Sequence, residues 1–445
     1  MAHLRKRDAR MQTADRRHRT TIPSPPVEEI QRRLLEVLTP ATFAQARRAT
    51  SHLNLRDRVL NLPTMTAITL SLVWRQIPSL SEVIRLLEQE DLLWAESLDV
   101  SLQALSKRFA SMPAEAFAVL LQEVVAAMPD RTTIHTTAER EAVTKPLARI
   151  AERFAKLWIA DASTLEHLRK STSELRQHDG AALGGKMLAI VDALWHRPQA
   201  VFYHRHAGAN EKLFKEQLLQ VLPERGLLVL DRGFFSFALF DAFTDQGKYF
   251  LTRAISNMRY RTQSLLSQGT HYRDEIIELG LHRSDPCEHP VRMVSVLWNG
   301  TWYRYVTNAL EPEQLSAEDV TLLYRTRWRI EEAFLLTKRL LGLSYLWVGS
   351  KNGVELQLYA TWIFYTVLID LCAEVSLALQ QPLDRISVEM VFRSLYHYSR
   401  AILRAPDTPL IEYLVERAKS FALLKTERNR HRKRQQMLNE IWDSA

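Results

Sequence analysis

Two aspartates stand where strands end, and such positions suit chemistry on a metal-bound oxygen. Asp161 ends the apolar run KLWIAD and Asp231 ends the run GLLVLD. A carboxylate at the end of an apolar strand is held on a rigid frame and exposed at the sheet edge. Two such groups on neighbouring strands can bind hard divalent cations through oxygen. Strand ends also carry ordinary turn-forming Asp, so neither residue decides the matter alone. Asp192, inside KMLAIVDALW, is set aside, because a buried Asp there needs a partner of its own.

A helix supplies the stronger signal. In LYRTRWRIEEAFLLTKRLLGL, residues 323 to 343, Tyr324, Arg327, Glu331 and Lys338 are separated by three, four and seven positions. At 100° per residue they fall within an arc of about 60°. Leu323, Ile330, Phe334 and Leu341 lie on one side of this stripe, Trp328 and Leu335 on the other. A polar stripe flanked by packing residues is not the face of a helix that simply meets water. Glu332 and Arg329 point away from it and read as ordinary surface groups. An intrahelical salt bridge between Arg327 and Glu331 would be worth only tenths of a kcal/mol and would not require Tyr324 or Lys338.

The elements that must position these residues follow from periodicity. Residues 27 to about 127 read as helices, among them VEEIQRRLLEVL, SLSEVIRLLEQEDLLWAES and PAEAFAVLLQEVVAAM, with Ser79 and Ser81 as caps. VSLQALSKRFASMP fits either a helix-turn-helix-like unit or a plain helical bundle. From about 150, short apolar runs indicate strands: KLWIAD, KMLAIVDALW, QAVFYHRH, GLLVLDRG and GKYFLTRAI, with a helix over 210–222. These predict an α/β domain. A β-rich insertion is expected at about 256–315, with a tight hairpin at Asn299-Gly300. A long helix covers roughly 317–342, ending near Gly342, and further helices cover 353–377, 386–403 and 409–422. The expected organisation is a basic flexible arm at 1–26, a helical domain at 27–149, a catalytic core at 150–345 and a C-terminal helical region with a basic tail at 346–445.

Composition narrows the classes. Of 445 residues, 59 are Lys or Arg and 51 are Asp or Glu, and the net charge of +8 favours an anionic partner. The first twenty residues carry seven basic side chains against two Asp, without an apolar stretch behind them, and are not read as a secretory signal. Cys287 and Cys372 lie far apart, which excludes a disulfide scaffold and suits a reducing compartment. The uncharged apolar run from Leu356 to Ile369 is too short to span a bilayer and reads as a buried helix, so no membrane partner is expected. HRSDPCEH offers His282, Cys287 and His289 but lacks a convincing fourth zinc ligand. In the tail, Arg428, Arg430, Arg432, Lys433 and Arg434 form a concentrated basic run, suited to DNA phosphate or simply to water.

At this point the chain resembles the DDE transposases of bacterial insertion sequences, in the group marked by Y-x2-R-x3-E-x6-K. Tyr324, Arg327, Glu331 and Lys338 match that spacing without departure, and the motifs IADAST with Asp161 and LDRGFFS with Asp231, Gly233 and Phe234 match the two earlier ones. The resemblance covers roughly 150 to 345 and is weak over the N-terminal helices. It implies a ribonuclease-H-like core with a β-rich insertion, preceded and followed by helical regions. It also implies that 27–149 binds DNA ends, and that Asp161, Asp231 and Glu331 are catalytic ligands of two Mg²⁺ ions, with Mn²⁺ able to substitute. Arg327 and Lys338 suit backbone phosphates, and Tyr324 would bond a phosphate or fix Glu331. In this family a flipped base can stack on an aromatic residue, for which Trp302, ahead of Trp298, is the candidate. The implied partners are double-stranded DNA, as transposon ends and target, and a second copy of the chain in a homodimer. The implied location is the bacterial cytoplasm, at the nucleoid. A nuclease without strand transfer and a DNA-binding protein with an inactive core are the alternatives.

Overall fold

The computed structural model describes residues 28–129, 147–165 and 185–425, apart from 54, 56, 57, 78, 282, 344 and 345. The basic arm, the five basic residues singled out in the tail, and His282 lie outside the described residues. The N-terminal helices are α1 (Glu28–Val37), α2 (Pro40–Ala49), α3 (Leu62–Trp74), α4 (Leu80–Leu87), α5 (Leu102–Ser111) and α6 (Ala114–Ala127). Helical spacing explains α1, whose Ile30, Leu34 and Val37 are buried. Ser79 caps α4 through Glu82 N. That helix stops at Leu87, short of the predicted run, and Leu92 and Ala95 form an isolated bridge instead. Helices α5 and α6 meet at 74°.

The strands are β1 (Leu157–Thr164), β2 (Lys186–Asp192), β3 (Pro198–His204), β4 (Leu227–Leu230), β5 (Tyr249–Arg253), β6 (Tyr260–Gln268), β7 (Tyr272–Leu279), β8 (Val291–Trp298) and β9 (Thr301–Thr307). Helices α7 (Lys215–Val221) and α8 (Phe237–Asp245) lie between β3, β4 and β5. They form one sheet in the order β3-β2-β1-β4-β5-β9-β8-β7-β6. Strands β1, β2 and β3 are antiparallel neighbours, whereas β4 and β5 run parallel to β1. That order and direction make a ribonuclease-H-like core. Strand β9 pairs antiparallel with β5, so the insertion extends the core sheet rather than standing apart from it. Asn299 and Gly300 join β8 to β9 with φ of 45° and 72°, the double left-handed turn that an Asn-Gly pair favours.

Alternation along the strands divides the core in two. Leu157, Ile159, Leu227, Val229 and Leu251 face one hydrophobic cluster. Trp158, Ala160, Leu228, Leu230 and Phe250 face the other, beneath α7 and α8. With both faces covered, β4 is buried along its whole length. The first cluster is shared with the remaining helices: α9 (Ala317–Thr326), α10 (Trp328–Leu335), α11 (Lys351–Ala378), α12 (Val388–Ile402) and α13 (Leu410–Glu416).

Helix α11 is apolar nearly all round and runs through this cluster. It is long and apolar enough to cross a membrane, but 89% of its most apolar window is buried inside the protein. Arg33 of α1 reaches Glu374 of α11 at 2.6 Å, tying the N-terminal helices to α11. Buried Arg292 of β8 takes Asp274 of β7 in a two-pronged pair at 2.8 and 2.6 Å, and gives Nη1 to Leu315 O at 2.5 Å. This pair anchors the insertion to the residue just before Ser316, the N-cap of α9.

Candidate active site

Asp161 is not at a strand end, as the run KLWIAD predicts, but inside β1, which continues to Thr164. Continuation is possible because β2 pairs along the full edge, up to Thr164 opposite Lys186. Alternation with Leu157 and Ile159 still aims Asp161 toward the helices. Asp231 directly follows β4 and caps a short 3₁₀ turn, with Gly233 N donating to its Oδ2 at 3.4 Å. Ala160 pairs with Leu230 in parallel register, so the next step along both strands brings the two aspartates side by side.

The helix carrying the third acid is not continuous from 317 to 342. It breaks at Arg327, between α9 and α10, and then widens into a π turn over Leu336–Leu340. Thr326 Oγ1 donates to Leu323 O and Thr337 Oγ1 to Ala333 O. Such back-bonding hydroxyls bend helices, and π turns recur at functional sites. The break sets Arg327 over the sheet. Its Nη1 donates to Asp161 Oδ2 at 2.7 Å and its Nη2 to Glu331 Oε1 at 3.0 Å. Its Nε faces Asp231 Oδ1 at 3.4 Å, an ion-pair distance without a hydrogen bond. One guanidinium, 8% exposed, thus gathers all three acids. Each acid reaches a different nitrogen of the same planar group, so every pair lies within the ~10 Å that a shared-ion site requires.

The other signature residues close around this cluster. Lys338, carried by the π turn, donates to Ser163 Oγ at 2.5 Å and Thr164 O at 2.8 Å, at the end of the strand that holds Asp161. Tyr324 packs on Tyr305 of β9 with ring centroids 5.1 Å apart, and burial pushes its hydroxyl up to about 12. Burial, opposed by Arg327, pushes Asp161 up to about 7. Arg327 itself is raised despite its burial, because Asp161 and then Asp231 hold its charge.

Several residues lie elsewhere than the sequence indicates. Trp328 and Leu335, expected to pack, are instead 66% and 47% exposed. Arg329 and Glu332 are not loose surface groups. Arg329 donates to Ala193 O and Asp384, and Glu332 meets Lys425 at 2.5 Å, so both bind the helix to its surroundings. Trp302 is 44% exposed, and alternation along β9 sets it on the opposite face from Tyr303 and Tyr305. Trp298 packs against the first cluster, on the acids' side of the sheet. Asp192 accepts from Leu194 N and Trp195 N and shapes the turn after β2. Cys287 donates to Asp241, and His289 pairs with Asp245.

Sequence reasoning missed Glu211. Its carboxylate lies over Gly233, where a Cβ would stand 1.7 Å from Glu211 Oε2. That oxygen is buried without a hydrogen-bond partner among the described residues. Burial raises the Glu211 carboxyl, with Lys186 opposing and Asp231 adding to the rise. The glycine in LDRG was the available signal, since it reports a close approach but not what approaches.

The donors suit a hard cation: carboxylate oxygens on rigid elements, already drawn to one positive group. Among the described residues, no group of three or more His, Cys, Asp or Glu is spaced to hold a metal ion as it stands. The guanidinium sits between the acids.

Comparison with known proteins bears on this ribonuclease-H-like core, whose three acids stand within β1, just after β4 and on α10. Residues 152–367 match the family model described as the transposase DDE domain. A probable transposase for insertion sequence element IS5377 of Geobacillus stearothermophilus is 28% identical over 157 residues, 34% of this chain and 40% of that protein. A putative transposase for insertion sequence element IS4SA of Synechocystis sp. (strain ATCC 27184 / PCC 6803 / Kazusa) is 24% identical over 176 residues, 38% of this chain and 48% of that protein. The chain thus resembles insertion-sequence transposases, with residues 152–367 carrying the match to the transposase DDE domain. It spans less than half the length of these curated relatives. The cryo-EM structure of the piggyBac transposase synaptic complex with hairpin DNA is similar at a TM-score of 0.41 and 12% identity, over 92% of this chain and 87% of that one. The fold assignment rests on strand order, not on this likeness.

Proposed function

We propose that this chain is a DNA transposase that cuts insertion-sequence ends and joins them to target DNA by phosphoryl transfer. The observation that carries the reading is the meeting of Asp161, Asp231 and Glu331, from three separate elements, on one guanidinium. Two Mg²⁺ ions held by these carboxylates would supply activation of the attacking oxygen and stabilisation of the leaving one. Phosphoryl transfer asks little covalent chemistry of the protein, so positioning and charge are its contribution. The sheet fixes Asp161 and Asp231, and α10 brings Glu331 to them. Arg327 and Lys338 hold backbone phosphates beside the acids, Arg327 as a fork and Lys338 as a point charge. Tyr324 supports Arg327 from the side and is itself wedged by Tyr305. Exposed Trp328, whose ring lies 5.8 Å from Arg327 Cζ, offers a stacking face next to the phosphate contacts, and suits that task better than Trp302. The substrate is double-stranded DNA, and two chains act together, one at each end.

Incubation with the DNA flanking its own gene, with and without Mg²⁺, tests this reading. Mapped cuts at the element ends, dependent on Mg²⁺, and joining of precut ends to a target plasmid are the expected results. Cutting without joining would make the chain a nuclease. Binding without cutting would make its core inactive.

A further inference from the structure

Three buried or half-buried carboxylates set side by side repel one another unless a positive charge lies among them. Here that charge belongs to the protein. Arginine stays protonated at any ordinary pH, and its fork presents several donors in fixed directions. Each of the three acids meets a different nitrogen of Arg327. The oxygens it takes are those left over by the backbone. Asp161 Oδ1 already accepts from Ala162 N at 2.8 Å, and Arg327 takes Oδ2. Asp231 Oδ2 faces Gly233 N, and Arg327 faces Oδ1. A guanidinium holds its acceptors at hydrogen-bond length around a flat, wide group, whereas Mg²⁺ draws oxygens in to ~2.1 Å of a single point. The same oxygens cannot serve both.

We propose that Arg327 is the resting counter-ion of the acid cluster, and that it and the divalent cation occupy the same oxygens in turn. Metal entry displaces the guanidinium, and the displaced guanidinium is then free to take a DNA phosphate. This inference rests on the reading of Asp161, Asp231 and Glu331 as metal ligands. It adds that the free protein holds its own metal affinity down, and that a DNA end, by drawing Arg327 away, raises it. By linkage, bound metal raises the affinity for DNA by the same factor.

Mn²⁺ binding to the full chain without DNA, followed by electron paramagnetic resonance, tests the proposal without reference to activity. Arg327→Gln should bind Mn²⁺ about tenfold more tightly than the unaltered chain, the scale of one lost charge-assisted contact. Equal or weaker binding by Arg327→Gln overturns the proposal and leaves the metal-ligand reading standing, provided that Asp161→Asn weakens binding in that background. If Asp161→Asn has no effect there, the ion sits elsewhere, and both readings fall. A crystal of the unaltered chain grown with Mn²⁺ supplies a second measurement that needs no variant to fold. Anomalous density among the acids with Arg327 turned away is expected. Density there with the guanidinium still bonded to the acids would overturn the proposal.

Discussion

Replacing one carboxylate at a time separates chemistry from folding at this site. Asp161→Asn, Asp231→Asn and Glu331→Gln should each lower end cleavage by on the order of a thousandfold, the scale of removing a transition-state charge stabiliser. Asp161→Asn should do so without a fall in melting temperature at pH 8, because ionising the buried Asp161, pushed up to about 7, is a cost that the amide avoids. A variant that loses its fold together with its activity would assign the residue to structure instead. His196 contributes a pH dependence of its own to the fold. It is buried at φ 54° in the turn between β2 and β3, its Nε2 has no hydrogen-bond partner among the described residues, and burial, then Arg329 and Lys425, hold its pKa well below the usual range. Its folded pKa is depressed, so the unfolded chain takes up a proton first. Stability from this group is present above about pH 6.5 and is lost as pH falls below it, by at most ~1.4 kcal/mol per unit. His196→Asn tolerates the left-handed turn, and urea midpoints at pH 7.5 and 5.5 should differ less in that variant than in the parent.

Among the elements, the helix bearing Glu331 depends on supports at both ends. Its α9 end is anchored through Arg292, whose fork to Asp274 and bond to Leu315 O are fully buried. Arg292→Met leaves Asp274 buried and unpaired, so it should cost roughly 3–5 kcal/mol in denaturant melts. Asp274→Asn in the same background should recover much of that loss; no recovery would mean that the bond to Leu315 O, not the charge pair, carries the effect. At the other end, Gln76, two residues past α3, donates to Leu340 O at 2.6 Å, and Gly342, with φ of 79°, follows the π turn. The stripe predicted on an ideal helix is therefore produced by a broken one. Despite the break, Arg327 still reaches Asp161, and Lys338 reaches Ser163 and Thr164, all on β1.

For the whole molecule, the proposed transposase activity sets the expected stoichiometry. If one acid cluster serves one DNA end and an element has two ends, two chains related by two-fold symmetry are the simplest working form. Light scattering of protein with short end DNA at matched concentrations should give two chains to two DNAs. A species with one chain that both cuts and joins would remove the dimer from the mechanism. Helix α13 buries Leu410, Tyr413 and Leu414 against its own chain. That use accounts for its apolar spacing without a partner.

What the sequence determined by itself is what local periodicity and spacing can encode. The strand runs, the Asn-Gly hairpin, the buried apolar helix around Leu356 to Ile369 and the order Asp161, Asp231, Glu331 were all readable, since each depends on neighbours a few residues away. Periodicity reports that a face is covered, not what covers it. So Trp328 and Leu335 read as packing residues although they are exposed, and Arg329 and Glu332 read as free although the turn at Ala193 and the residues Asp384 and Lys425 receive them. Joining the insertion to β5, seating Glu211 on Gly233 and bringing Asp161 to Arg327 are contacts between distant segments. Tertiary packing decides them, because strand pairing and burial fix which backbones approach, and a charge finds its partner only after that approach.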